Sequence, residues 1–169
     1  MKPTRGFSAI FERMLEHSNI EVILREQVNR PVPNMVWTGS IDTFFNYRYG
    51  VLPYRSAVWE HSRGSMVFDT MKEPSLEVKY TRTIDMNRVG NSREMVISTE
   101  YPCAHHVNVN DPLWPVLTKD SDAMRLDYDR KAEELSGVWF AGRLGDFRYY
   151  NMDQACLRAL KLADELETL

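Results

Sequence analysis

The chain has 169 residues, 43% of them hydrophobic and 27% charged, and its formal net charge is −3 at pH 7. This composition is typical of a globular protein with a substantial core, and the absence of any run of Lys and Arg argues against a nucleic-acid partner. The sequence contains neither a stretch of about eighteen apolar residues nor a hydrophobic signal core, so we expect a cytoplasmic protein that does not enter a membrane.

Apolar residues recur with helical spacing in three segments, which predicts three helices and one isolated helical turn. The helices are expected over residues 6–17, 119–135 and 152–166, and the turn within residues 39–49. Each helix is expected to bury one apolar stripe against the core. In the last helix the predicted stripe consists of Met152, Cys156, Ala159, Leu160, Ala163 and Leu166.

Short apolar or alternating runs predict the strands. They cover residues 20–24, 35–38, 57–60, 66–68, 79–86, 94–101 and 138–140, with a hairpin turn at 88–92. The turn signals favour antiparallel pairing. We therefore expect an α+β fold with an antiparallel sheet of about six strands, an amino-terminal helix and two carboxy-terminal helices, in a single domain covering residues 1–169.

The stretch from Trp139 to Gln154 combines several features of a binding site. It begins in a short apolar strand, turns at Gly142, continues through a basic and aromatic loop, and enters the last helix, whose predicted N-cap is Asn151. The positive end of this helix, with Arg143 and Arg148 beside it, favours anionic or electron-rich ligand atoms.

The spacing in this loop also allows a second interpretation. Tyr149 and Tyr150 would then pack beneath the loop, while Arg143 and Arg148 would lie on a solvated face. The pattern of residues alone leaves the two interpretations open.

Two other groups of residues carry possible chemistry. Arginines alternate with aromatic residues over 37–56, which can indicate stacking on a nucleotide base but more often indicates arginines stacked on tyrosines at the edge of a core. His105 and His106 could ligate a metal, but no Glu-x-x-His or Cys-x-x-Cys motif accompanies them. We therefore favour a solvated loop there and predict no metal site.

Arg82 lies on a predicted strand in which Tyr80, Arg82 and Ile84 share one face. This face would otherwise point inward. Because a buried arginine without a partner is costly, the pattern predicts a phosphate, a carboxylate or a cofactor next to Arg82.

Five segments resemble the UDP-galactopyranose mutase family of flavoenzymes, and the first of them, residues 6–22, resembles the family's Gly-Tyr-Thr helix and the strand after it. The carboxy-terminal motif is Gly-Arg-Leu-x-x-x-x-Tyr-Tyr-Asn-Met-Asp-Gln at residues 142–154, and the longest other match covers residues 37–56. Shorter matches are Tyr-Thr-Arg at 80–82 and Ser-Thr-Glu-Tyr-Pro at 98–102. The family begins with a Gly-x-Gly dinucleotide fingerprint, which none of the eight glycines forms here, so the chain corresponds to roughly the carboxy-terminal half of such an enzyme.

The resemblance implies an enzyme that interconverts the pyranose and furanose forms of a UDP-sugar with FAD as cofactor. The catalytic residues it implies are Arg82 and Asn151. The cofactor-binding residues it implies are Arg143, Asn151, Met152 and Asp153. The substrate-binding residues it implies are Phe7, Arg82, Trp114, Tyr149 and Tyr150. We further expect Arg82, Arg143 and Tyr149 to converge on a diphosphate.

The chain departs from the family pattern at four positions. Phe7 replaces a tyrosine whose hydroxyl can donate to a phosphate, and Thr99 replaces an arginine that binds the diphosphate. Trp114 keeps an aromatic ring but loses a hydroxyl, and Asn151 keeps a helix cap but loses a charge.

Three interpretations follow from these matches and departures. The chain is a mutase portion that is incomplete alone, a non-catalytic nucleotide-sugar-binding or protein-interaction module, or a stand-alone enzyme without flavin. We expect that the isolated chain does not retain FAD. We expect a homo-oligomer or a partner chain that supplies the flavin domain.

Overall fold

The computed structural model of the protein describes residues 5–26, 28, 31–90 and 94–168. The helices are α1 (Gly6–Leu15), α2 (Ile41–Phe44), α3 (Met86–Gly90), α4 (Lys119–Glu133), α5 (Gly142–Gly145) and α6 (Met152–Glu167). The strands are β1 (Met35–Trp37), β2 (Tyr54–Arg63), β3 (Thr70–Lys72), β4 (Arg82–Asp85), β5 (Val96–Ala104), β6 (Trp114–Pro115) and β7 (Val138–Phe140).

The strands form one five-stranded sheet and one separate pair. The order in the large sheet is β3-β4-β5-β2-β6, and the pairs β3–β4, β4–β5 and β2–β6 are antiparallel. The separate pair, β1 with β7, is parallel and aligns Met35 with Val138. The predicted α+β class is confirmed. The parallel pair adds a feature that turn signals could not reveal, because strands so far apart in sequence share no turn.

The chain divides into two compact units. Unit 1 comprises Met1–Gln27 and Ala57–Pro102, and unit 2 comprises Val28–Ser56 and Cys103–Leu169. The strands β2 and β5 each continue from one unit into the other. That residues 1–169 form a single domain stays a prediction.

The core of unit 2 is built around a buried tyrosine. Tyr128 is completely buried on α4, and its hydroxyl donates to the carbonyl of Gly50 at 2.5 Å and accepts from the backbone N–H of Tyr49 at 3.2 Å. The other buried apolar members of this core are Ile41, Leu52, Tyr54 and Phe147. α4 thus contacts the core through the Tyr128 ring, and the two hydrogen bonds of the Tyr128 hydroxyl fix the position of α4 against residues 49 and 50.

The predicted helices are present, but α6 buries a different face from the one predicted. Met152 and Leu160 of the predicted stripe are each 64% exposed, and Leu162 is the buried residue of the helix. α6 is apolar on two faces, so periodicity alone cannot choose between them. The choice follows from Arg158, whose Nη2 donates to the carbonyl of Phe140 at 3.0 Å and brings its own side of the helix inward.

The amino-terminal segment is also more exposed than predicted. α1 forms, but its apolar face is open, with Phe11 and Met14 both exposed. Residues 20–24 form no strand, and Leu24 is 79% exposed. An alternating apolar run becomes a strand only where another strand supplies hydrogen bonds, and none of the described residues pairs with this segment.

Two predictions in unit 1 are wrong for one common reason. Residues 66–68 are not a strand, and where a hairpin turn was predicted the chain forms α3, with residues 91 and 92 lying outside the described part. The buried carboxylate of Asp85 accepts hydrogen bonds from the backbone N–H groups of Asn87 and Arg88, which starts the helix. It also accepts a hydrogen bond from the backbone N–H of Met66, the first residue of the segment that was predicted as a strand.

Candidate functional site

Two glycines shape the backbone of the predicted site loop. Gly142, just after β7, has φ +84°, a conformation that L side chains rarely adopt. At Gly145 an added Cβ atom would lie 2.8 Å from the carbonyl oxygen of Trp37. The short helix α5 between these glycines therefore lies close against β1, and the chain emerges into the loop 146–150 that leads to α6.

Arg143 is fixed by the two tyrosines that follow it in the loop. Its Nε donates to the carbonyl of Tyr150 at 2.7 Å, and its guanidinium lies 4.6 Å from the centre of the Tyr149 ring. The Tyr149 side chain is 52% exposed, so this ring does not pack beneath the loop, whereas Arg148 is exposed. The structure is intermediate between the two interpretations of the sequence. Arg143 is partly buried and hydrogen-bonded within the loop, whereas Arg148 is exposed to solvent.

Tyr150 lies deeper in the loop, beside a carboxylate. Burial, followed by the nearby charge and hydrogen bond of Asp146, raises the pKa of the Tyr150 hydroxyl. Asp146 is in turn paired with Arg158 of α6, whose Nε lies 3.3 Å from a carboxylate oxygen. Tyr150 therefore stays a neutral phenol at physiological pH and links the loop to α6.

The amino-terminal end of α6 is open to solvent. The backbone N–H of Asn151 donates to Oε1 of Gln154 at 2.8 Å, which confirms the predicted cap position. Asn151, Met152 and Asp153 are all exposed. The three residues that the resemblance assigned to the flavin are therefore accessible at a helix amino terminus.

A cavity of about 910 Å³ lies in unit 2 between this loop and α4. Its lining includes Tyr149, Tyr150 and Gln154, while Arg143 is not among the residues that line it. Three arginines and three aspartates also line it: Arg125, Arg148, Arg158, Asp122, Asp129 and Asp146. The volume is within the range of small-molecule sites.

Arg125 and Arg158 of this lining were not predicted as site residues. Arg125 pairs with Asp129 and donates from Nη1 to the carbonyl of Gly145 at 2.9 Å, so it supports the end of α5. The spacing Arg–x-x-x–Asp on α4 could have predicted the pair of Arg125 with Asp129, because residues four apart are neighbours on a helix.

In unit 1 the predicted partner of Arg82 is a carboxylate, Glu100. The Nε and Nη2 atoms of Arg82 lie 2.7 and 2.5 Å from Oε2 of Glu100, a residue that is 5% exposed. The hydroxyl of Thr81 donates to the other carboxylate oxygen at 3.0 Å, and the guanidinium carbon of Arg82 lies 5.6 Å from the centre of the Trp59 ring. The strand pattern around Arg82 predicts such a partner but does not identify Glu100 or Trp59.

The remaining predicted substrate residues are divided between the units. Phe7 is partly buried on α1 in unit 1, and Trp114 is partly buried on β6 in unit 2. Arg82 belongs to unit 1, whereas Arg143 and Tyr149 belong to unit 2. Their convergence on one diphosphate stays a prediction.

The aromatic and basic segment 37–56 matches the interpretation that was favoured. The guanidinium of Arg48 lies 5.9 Å from the centre of the Tyr49 ring, and Phe44 packs edge-on against Trp37 and Phe140. His105, in the loop after β5, hydrogen-bonds to Asn110 at 3.1 Å. The described part of the chain contains no group of three or more His, Cys, Asp or Glu residues placed to hold a metal ion.

Comparison with known proteins assigns the family. A family model described as UDP-galactopyranose mutase matches residues 1–149. The chain belongs to the UDP-galactopyranose mutase family. The match extends over most of the chain, including both units, and this agrees with the motifs read from the sequence.

Individual relatives match nearly the whole length of the chain. It is 30% identical to the probable UDP-galactopyranose mutase of Klebsiella pneumoniae over 96% of its length and 45% of that protein. It is 28% identical to the dTDP-fucopyranose mutase of Escherichia coli, over 95% of the chain and 47% of that protein. It is 26% identical to the UDP-galactopyranose mutase of Mycoplasma genitalium, over 97% of the chain and 46% of that protein.

The chain spans about half the length of these relatives, and the matched half is the carboxy-terminal one. Among the helices of the described residues, none is both long and apolar enough to cross a membrane.

Proposed function

We propose that this chain is the substrate- and flavin-facing portion of a mutase that interconverts the pyranose and furanose forms of a UDP-sugar, and that it is incomplete alone. The observation that carries the proposal is the segment from Gly142 to Asp153, which comprises α5, the loop 146–150 and the start of α6. It combines a fixed arginine, an exposed tyrosine and an open helix amino terminus, next to a cavity of ligand size. We expect the protein to act in the cytoplasm.

The anionic part of the substrate belongs at this loop. Arg143 uses one N–H on the carbonyl of Tyr150, so the others remain for a phosphate, and Tyr149 offers its hydroxyl beside them. The backbone N–H groups in the first turn of α6 add partial positive charge. Because the described contacts of Tyr149 and Arg143 already hold both side chains, a diphosphate would bind without much rearrangement of the loop.

The exposed start of α6 fits the edge of a flavin ring. Asn151 and Asp153 offer polar atoms to ring substituents, and Met152 offers an apolar, polarizable surface. When bound, reduced FAD supplies the nucleophilic chemistry at the anomeric carbon of the sugar. This chain contributes the ring-edge contacts and lacks a Gly-x-Gly turn for the pyrophosphate, so we expect purified protein to be colourless. A stoichiometric flavin band in its absorbance spectrum would contradict this.

A second candidate function is a non-catalytic module that binds a nucleotide sugar or another protein. The observation that favours it is the uncovered apolar surface of α6, where Met152, Leu157 and Leu160 are exposed. Such a surface suits a second copy of the chain or a partner chain that supplies the flavin domain. Binding of UDP to the loop 142–153, measured by NMR, tests the first proposal.

A further inference from the structure

The parallel pair of β1 with β7, within unit 2, leaves one edge of β1 without a neighbouring strand. Met35 N–H donates to the carbonyl of Gly137 at 2.9 Å, and Ala141 N–H donates to the carbonyl of Trp37 at 3.1 Å. Because consecutive residues of a strand direct their backbone groups to opposite sides, the N–H and the carbonyl of Val36 point away from β7. Among the strands of the described residues, β1 pairs with β7 alone. Val36 therefore presents one donor and one acceptor at an edge that can receive a further strand.

The other strand edges carry protection that β1 lacks. On the outer side of β7, Nη2 of Arg158 donates to the carbonyl of Phe140, so a side chain already occupies that acceptor. In the large sheet, the edge strand β3 ends in Lys72 and the edge strand β6 contains Pro115, and both residue types discourage the addition of another strand. β1 contains neither a charged residue nor a proline. Its edge is therefore typical of one that is covered in a complex.

The side chains of the pair also favour a larger sheet. β1 consists of Met-Val-Trp and β7 of Val-Trp-Phe, and continuous apolar runs of this kind are typical of parallel strands that are buried on both faces. One face is filled, because Phe44 packs edge-on against Trp37 and Phe140. On the opposite face, Val36 is 42% exposed. The composition of these strands therefore matches a sheet with more strands and more cover than unit 2 supplies.

The share of its relatives that the chain spans indicates what covers this edge. The chain matches the carboxy-terminal part of the relatives, between 45% and 47% of each protein. The family resemblance implies that the other part begins with a Gly-x-Gly fingerprint, which lies in the turn after a strand of a parallel sheet. The part of a mutase that this chain does not match is thus expected to contain parallel strands of the kind that β1 can receive.

We propose that the edge of β1 at Val36 is the docking surface for the amino-terminal, dinucleotide-binding portion of a mutase, which adds a strand parallel to β1 and covers the Val36 side chain. The inference rests on the proposed function and deepens it, since it names the surface through which the incomplete chain binds its partner. The UDP titration of residues 142–153 uses the chain alone, so the failure of either proposal is recognised separately.

Amide hydrogen exchange, followed by NMR, tests the docking surface. In the chain alone, the Met35 amide should exchange slowly because it bonds to Gly137, whereas the Val36 amide should exchange rapidly. The chain is then co-expressed with the amino-terminal portion of the Klebsiella or the Escherichia relative, up to the start of the matched region. In the resulting complex the Val36 amide is expected to exchange at least about tenfold more slowly. The inference is overturned if neither portion forms a complex, if Val36 stays rapid in the complex, or if Val36 is already protected in the chain alone, which would place a second copy at this edge.

Two variants of Val36 distinguish strand addition from a general apolar contact. Val36→Pro removes the outward N–H but leaves the bonds of β1 to β7, and it is expected to weaken the complex at least about tenfold. Val36→Thr is the matched control, because it keeps the N–H and a β-branched side chain of similar size, and it should bind as the unmodified chain does. Equal affinities of the two variants for the partner would overturn the inference. If Val36→Pro does not fold, the exchange of the Val36 amide in the unmodified complex still decides.

Discussion

The guanidinium of Arg143 lies 4.6 Å from the centre of the Tyr149 ring, and Tyr149 is about half exposed to solvent. A cation over a tyrosine face is attracted by the ring, and here the bond from Arg143 to the carbonyl of Tyr150 adds a second constraint. An exposed tyrosine that would otherwise sample several rotamers is thereby held beside the start of α6. This pre-organisation is what a phosphate site requires.

The core of unit 2 depends on the hydroxyl of Tyr128. The variant Tyr128→Phe leaves the carbonyl of Gly50 and the N–H of Tyr49 without their partner in a buried site. We expect a loss of about 1–3 kcal/mol in the free energy of unfolding, measured by urea denaturation. Tyr47→Phe is the control, because its hydroxyl accepts a hydrogen bond from Thr43 in an exposed position, and the variant should change stability by less than about 0.5 kcal/mol. Equal stabilities of the two variants would contradict this assignment.

The buried carboxylate of Asp85 should make stability depend on pH. The N–H of Met66 is the largest of the effects that lower the pKa of Asp85 in the folded chain, with Arg88 N–H and the Ser65 hydroxyl adding to it. Because the folded pKa is depressed, the stabilisation is complete above the unfolded pKa of about 3.9 and is lost as pH falls through the folded value.

Urea midpoints measured between about pH 3 and pH 7 test this dependence. Asp85→Asn should be less stable than the unmodified chain at pH 7 and should approach it at low pH. The exposed Asp164 on α6 provides the control, since Asp164→Asn should follow the unmodified chain throughout. A constant difference between Asp85→Asn and the unmodified chain at every pH would show that the charge of Asp85 is not the stabilising feature.

Local signals explain why the helix starts were predictable while the buried faces were not. Asn151 with Gln154, and Thr118 with Ser121, form caps within four residues of sequence, so the pattern alone determines them. Which face of α6 is buried depends on the bond from Arg158 to a strand 18 residues away.

Glu100 illustrates the same limit for the site. The sequence showed that Arg82 needs a partner, but 18 residues and α3 separate the two, and only the register of β4 with β5 brings them together. Likewise, residues 88–90 of the predicted turn belong to the helix α3 because Asp85 caps it, a role that a simple turn pattern does not reveal. Residues that act through cross-strand pairing therefore require the structure.

The uncovered side of α6 should drive self-association of the purified chain. Met152, Leu157 and Leu160 lie on exposed positions of one helix, and contiguous apolar surface of this kind commonly forms interfaces. Light scattering should show a dimer or larger species, and the double variant Leu157→Lys with Leu160→Lys should shift it toward monomer. Glu165→Lys, also exposed on α6, should leave the assembly intact. A clean monomer of the unmodified chain at high concentration would contradict the prediction.

Titration of the isotope-labelled chain with UDP tests the central claim most directly. We predict shifts at residues 142–153 with a Kd between high micromolar and millimolar, on the order of 4–6 kcal/mol, that weakens as salt is added. Arg143→Ala should lose most of the binding, while the double variant His105→Ala with His106→Ala should bind as the unmodified chain does. If millimolar UDP shifts none of residues 142–153 in the unmodified chain, the loop is not a diphosphate site and the proposed function is wrong.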